Sequence, residues 1–327
     1  MNRNLHRRNF LKTSITAGVG APLLSRFNAS AAPAPKAPGA SAAALPKLST
    51  GKIGSLESTR IMLGTNIITH HMHSRGLRYV TDLSKKYNTD EKVLETFVEA
   101  ERCGLTTFMT HYEERIVKIF QEYQKRFQGK MQWFVAPSPK ESKSVEDFQA
   151  LVSRLVEYGV QAIYVHGATA DPLVQTGKGA TLAKFVEIIK AAGKPAGVAA
   201  HDLEVIKYCE SSKLPCDFYV KTFHSLNYPG APRPEEMTKV FDEAPPGYWC
   251  KDPDETAKFM EGVTKPWIAY KVMAAGAIPP REAFRYAFGR GADFILAGMF
   301  DWQIAEDVKL AEEAYGRSKS RPRPWRA

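Results

Sequence analysis

From Arg60 onward the chain repeats one pattern: a short β-branched or aromatic run, then a longer segment with apolar residues at three- and four-residue steps. The short runs predict strands at Ile61–Ile68, Thr106–Thr110, Met131–Ala136, Ala162–Val165, Ala196–Ala200, Phe218–Phe223, Trp267–Val272 and Phe294–Gly298. Between them, stripes such as Leu94, Phe97 and Val98, or Phe148, Leu151, Leu155 and Val156, predict amphipathic helices. Asn88 or Thr89 ahead of Asp90 and Glu91 is suited to cap a helix N-terminus with an acidic first turn. Gly104, Gly159, Gly193 and Gly291 stand where helices would close through a left-handed residue.

Eight strand–helix units in about 265 residues fit a single α/β domain, a (β/α)8 TIM barrel. A doubly wound sheet would need fewer units and a glycine-rich first turn, which does not follow Ile68. Two connections are long, Thr69 to Tyr87 and Ser225 to about Lys251, and loops of that length commonly cover an active site. Tyr248 and Trp249 in the second are candidates for substrate contact, or for packing the loop onto the barrel.

The formal charge of +10 over 327 residues changes meaning once it is located. Residues 1–31 hold five bases and no acid, and the last eleven residues hold five more, so the body between is balanced. A nucleic-acid groove is therefore not expected. Arg7-Arg8-Asn9-Phe10-Leu11-Lys12 precedes a stretch too short and too polar for a stable membrane anchor. It resembles a twin-arginine export signal, with Ala29-Ser30-Ala31 placed for cleavage. That resemblance implies passage through the twin-arginine machinery and a periplasmic or secreted enzyme. The expected organisation is a signal over 1–31, an Ala/Pro-rich linker over 32–55, the barrel over 56–316 and a basic tail over 317–327. Cys103, Cys209, Cys216 and Cys250 show no CxxC spacing, leaving buried thiols or a Cys209–Cys216 disulfide open.

Seven of the eight histidines follow predicted strand ends: His70, His71, His73, His111, His166, His201 and His224. That rim is where the loops of a barrel converge on one cavity. Convergent neutral imidazoles suit a divalent ion such as zinc or manganese. His73, His201 and His224 are the first candidate ligands, with His71 and Asp301 next. The His71-Met72-His73 pair with His201, His224 and Asp301 resembles the amidohydrolase barrel, although strand 4 ends in His166 rather than a bridging lysine. On this reading His166 or Lys271 moves a proton, with His111 nearby and Asn66 orienting the substrate. The expected substrate is a small, sugar-like carbonyl or hydroxyl compound, and the reaction a lyase, isomerase or hydrolase step.

Other resemblances keep three alternatives open. Lys221 and Lys271 near the ends of strands 6 and 7 resemble the lysine pair of deoxyribose-phosphate aldolase, which implies a Schiff base. Gly276 and Gly298 lie in turns where barrels often hold phosphate. The stretches Leu63-Gly64-Thr65-Asn66, Tyr164-Val165-His166-Gly167 and Ile268-Ala269-Tyr270-Lys271 resemble exported barrels distantly similar to the aldo/keto reductases. In those enzymes a histidine after strand 4 sits with an Asp, a Tyr and a Lys. Here only His166 occupies the matching position, and no nicotinamide or flavin motif follows strand 8. A non-catalytic carbohydrate-binding barrel with a polar histidine lining is the fourth reading.

Overall fold

The computed structural model describes residues 47–74, 76–233 and 250–327. The expected signal, most of the linker, Tyr248 and Trp249 lie outside the described residues. Eight parallel strands form a closed barrel: β3 (Ile61–Gly64), β4 (Thr107–His111), β5 (Gln132–Ala136), β6 (Ala162–Val165), β7 (Ala196–Ala200), β8 (Phe218–Thr222), β9 (Trp267–Tyr270) and β10 (Phe294–Gly298). β10 pairs with β3 through Ile295 opposite Ile61, which completes the ring. The chain is a (β/α)8 TIM barrel, as the eightfold alternation predicts.

Helices pack outside the ring: α1 (Arg78–Tyr87), α2 (Asp90–Arg102), α3 (Glu114–Phe127), α4 (Val145–Glu157), α5 (Gly167–Gln175), α6 (Gly179–Ala191), α7 (Leu203–Ser211), α8 (Pro253–Glu261), α9 (Pro280–Gly289) and α10 (Ile304–Arg317). Thr89 caps α2 by accepting from the Lys92 amide at 3.3 Å. Alternation along the strands sorts the core into two layers. Met62, Met109, Phe134, Tyr164, Phe218, Val220, Ile268 and Phe294 fill the barrel interior. Leu63, Phe108, Trp133, Ile163 and Trp267 pack outward against the helices. No helix among the described residues is long and apolar enough to cross a membrane.

Three features differ from expectation. The linker boundary at residue 55 cuts an antiparallel hairpin, β1 (Thr50–Ile53) with β2 (Leu56–Thr59). Ile53 and Leu56 from this hairpin pack with the interior cluster, so it covers apolar surface at the barrel's N-terminal end. The first barrel strand stops at Gly64 rather than Ile68, because Thr65–His71 folds into a turn in which Thr69 N donates to Thr65 O and His71 N to Asn66 O. The basic tail is not a solvated extension. Arg323 is fully buried and spends all its N–H groups, on Met260 O, Gly291 O, Val263 O, Lys265 O and the Asp293 carboxylate at 2.6 Å. Arg321 and the Arg326 amide reach the same carboxylate. The four cysteines are buried free thiols.

Candidate active site

The chain leaves β9 through an unusual turn. Lys271, Ala274 and Ala275 have φ of 57°, 46° and 56°, followed by Gly276 at 83°. Three non-glycine residues in the left-handed region cost about 1 kcal/mol or more each, and such strain persists only where surrounding contacts enforce it. Here the Ala274 amide donates to Lys271 O and the Gly276 amide to Met273 O. The turn directs Lys271 Nζ to within 2.8 Å of His73 Nε2, from the loop after β3. Burial pushes the Lys271 amine down to about 7, with Asp171 pulling it partly back. Burial and the neighbouring Lys271 charge push His73 down to about 3, so its neutral ring accepts at Nε2.

A second pair stands beside the first. Asp171, fully buried on α5, accepts from the His201 backbone amide at 3.1 Å, the Asp202 amide at 3.0 Å and His201 Nδ1 at 2.7 Å. Burial raises the Asp171 carboxyl to about 7 against the pull of those amides. A carboxylate on Nδ1–H leaves the lone pair of the neutral ring at Nε2. Burial holds His201 well below its ordinary value, and Lys271 and Lys221 add to this. Its ring centre lies 5.5 Å from that of Tyr270, the last residue of β9. The Tyr270 hydroxyl and Thr222 Oγ1, opposite each other on neighbouring strands, are both buried without a well-formed hydrogen bond. Burial raises the phenol far above its ordinary value, so it remains a proton donor.

His166 is held as the cap of α5, its Nδ1 accepting from the Ala168 amide at 3.1 Å. Burial, with charge on His111, His201 and Lys271, pushes it down to about 3. The imidazoles then continue around the rim: His166 to His111 at 6.2 Å, and His111 to His71 at 4.6 Å between ring centres. His111 Nε2 meets the Glu113 carboxylate at 2.8 Å, and His71 Nδ1 lies 3.2 Å from the same oxygen.

The expected ligand set does not assemble. His224 is consumed by structure: its Nδ1 donates to Ser225 O at 2.7 Å, and its Nε2 accepts from the Cys250 amide at 2.8 Å. Asp301 accepts from the Tyr87 hydroxyl at 2.6 Å and lies 3.4 Å from Lys92 Nζ. His73 and His201 are neighbours, but each has another partner, Lys271 and Asp171. Lys221 Nζ donates to the carbonyls of His201 and Thr222 at 2.8 and 2.9 Å. Those bonds fix the backbone that carries His201. Asn66 is exposed in the turn after β3. The space in front of Gly276 is open, whereas Gly298 faces the Ile67 side chain at 3.3 Å from where a Cβ would stand. Asp171, Tyr270 and Glu113 were not anticipated. The traceable signals are an acid in the apolar stretch Ala168–Val174, and the inward phase that places Tyr270 with Ile268.

No protein-family model matches the chain, and no curated protein is similar to it. Solved structures are. PA4992 of Pseudomonas aeruginosa, assigned as an aldo-keto reductase, matches with a TM-score of 0.54 at 14% identity, over 81% of this chain and 95% of its own. Apo Gox0644 matches with 0.54 at 10% identity, over 84% and 94%. A variant of Gox0644 in complex with NADPH matches with 0.52 at 11% identity, over the same shares. What these structures share with the chain is the fold, a TIM barrel.

His166 follows the fourth barrel strand, as the sequence resemblance implies. Asp171 from α5, Tyr270 at the end of the seventh barrel strand and Lys271 just beyond it stand around His201.

Proposed function

We propose that the chain is an aldo/keto-reductase-like oxidoreductase acting on the carbonyl or hydroxyl group of a small polar substrate at the C-terminal mouth. The observation that carries this reading is the Tyr270 hydroxyl, buried without a well-formed hydrogen bond beside His201 and next in sequence to the Lys271 amine. A buried donor left with only the weak Thr222 contact forgoes part of the roughly 1–3 kcal/mol of a buried hydrogen bond, which a substrate oxygen would recover on binding. Tyr270 then polarises that oxygen, while Lys271, near its midpoint at neutral pH, takes or supplies the proton with His73 as its relay. Asp171 orients His201, and Lys221 fixes the backbone beneath it.

NADPH is bound by the Gox0644 variant, and a nicotinamide nucleotide is the corresponding cofactor in this reading. Gly276, with open space before it, and the exposed Trp302 ring, stacked on Phe300, are the residues that would hold it. When bound, such a nucleotide supplies or accepts hydride. The test is titration of tag-free protein with NADH and NADPH, followed by a panel of small aldehydes and ketones. Expected are binding of at least one of the two nucleotides and carbonyl-dependent loss of nicotinamide absorbance; failure of both nucleotides to bind removes the reading.

One observation favours a second reading. An amine pushed down to about 7 is about half unprotonated at neutral pH, so Lys271 is also suited to form a Schiff base with a carbonyl substrate. Borohydride with such a substrate would then add mass at Lys271.

A further inference from the structure

Outside the Tyr270–Lys271 centre, one cluster of metal-ligating side chains among the described residues is left without a role. His71 in the loop after β3, His111 at the end of β4 and Glu113 just beyond it bring their ligand atoms within 4.8 Å of one another. We propose that His71, His111 and Glu113 form a divalent-metal site, selective for zinc-like ions, on the rim beside the acid–base centre.

The donor set is the first reason. Two imidazoles and one carboxylate are a ligand combination used for catalytic zinc, which takes three protein ligands and keeps one position for water or substrate. Backbone geometry is the second. His111 and Glu113 are two residues apart at a strand end, where the extended chain turns both to one side. His71 reaches them from the neighbouring loop, with its ring edge-on to His111. The third reason is the support behind the ligands. Thr69 O accepts from His71 Nδ1 at 2.7 Å, and a carbonyl on Nδ1–H fixes the neutral tautomer with its lone pair at Nε2, the arrangement common behind metal-bound histidines.

The spacing needs only small adjustment. Metal–ligand bonds of about 2.0–2.1 Å in a tetrahedron put neighbouring donors about 3.4 Å apart. His111 Nε2 and Glu113 now stand at 2.8 Å, so these two donors spread slightly as the ion enters. The His111 proton moves from Nε2 to Nδ1, and His71, 60% exposed at its side chain, shifts to bring Nε2 to the ion. Lys140 and Arg115 are positive groups near the cluster and oppose the ion, a repulsion the Glu113 carboxylate offsets. The site shares only His71 with the expected set of His73, His201, His224, His71 and Asp301, and does not depend on the oxidoreductase reading.

The test uses tag-free full-length protein and zinc alone, with metal content measured after dialysis and affinity by competition with a chromophoric chelator. Cobalt substitution adds an optical readout, since a four-coordinate ion has intense visible bands. Expected are about one bound equivalent and an affinity at least about 100-fold lower in His111→Ala and Glu113→Gln. His71→Gln, at an exposed side chain, tests the same point without endangering the fold. Asp301→Asn retains binding. Uptake unchanged in all three cluster variants overturns the proposal, as does the absence of stoichiometric zinc in wild type. Loss of uptake only on replacing His201 would do the same.

Discussion

Lys271 Nζ and His73 Nε2, 2.8 Å apart, join the loops that follow the seventh and first barrel strands, on either side of β10. The contact sets a titratable amine against a neutral imidazole at the mouth of a closed barrel. Its protonation state therefore governs both chemistry and stability.

Lys271→Met should remove turnover almost completely while raising stability at neutral pH. The unfolded amine holds its proton up to about 10.5 and the folded amine releases it near 7. Between those values the unfolded state binds more protons, so wild-type stability rises with pH by at most about 1.4 kcal/mol per pH unit. The variant lacks this slope. Urea unfolding from pH 7 to 10 should show its advantage largest at pH 7 and shrinking upward; a constant gap would mean the lysine is not depressed.

Tyr270→Phe should lower turnover by about 100- to 1,000-fold with no loss of stability, because the deleted hydroxyl has no well-formed hydrogen bond to lose. The effect should fall on kcat more than on KM. A drop in melting temperature of several degrees instead would show that the hydroxyl is tied to the fold.

Gly167→Ala tests how tightly the mouth is drawn together. A Cβ there would stand 2.8 Å from His201 Cε1 and 3.1 Å from the Tyr270 hydroxyl. Both rings must shift, so activity should fall at least about tenfold even where the protein stays folded, since misplacement by about 1 Å is enough for such losses. Full activity in this variant would separate His201 and Tyr270 from the reaction.

Arg323→Ala should cost roughly 3–5 kcal/mol, because it leaves the Asp293 carboxylate less compensated in a dry interior. Chemical denaturation gives the value directly. A change within about 0.5 kcal/mol would return the last residues to the status of an ordinary surface segment.

Strand order and helix positions were readable because their signals are local. Ala162–Val165, Ala196–Ala200 and Phe294–Gly298 match the predicted strands residue for residue. The site was readable only in part. His73, His166, His201 and Lys271 were visible as ring-bearing or basic residues at strand ends, and they do share one mouth. The role of His224 was not visible, because its partners are the Ser225 carbonyl and the Cys250 amide, and backbone groups leave no trace in residue type. Asp171 was hidden for a similar reason: inside a helix it looks like any solvent-facing acid until α5 buries it under His201.

By itself the sequence determined the alternation of strands and helices, and with it a closed ring whose loops share one end. Periodicity of two and of 3.6 suffices for that, since burial of an apolar face is decided within each element. Only the tertiary structure decided which imidazole serves chemistry, which serves the backbone, and which pairs with Lys271, Asp171 or Glu113. Those choices depend on ångström-scale distances between segments up to about 200 residues apart, and on how far each group is removed from water.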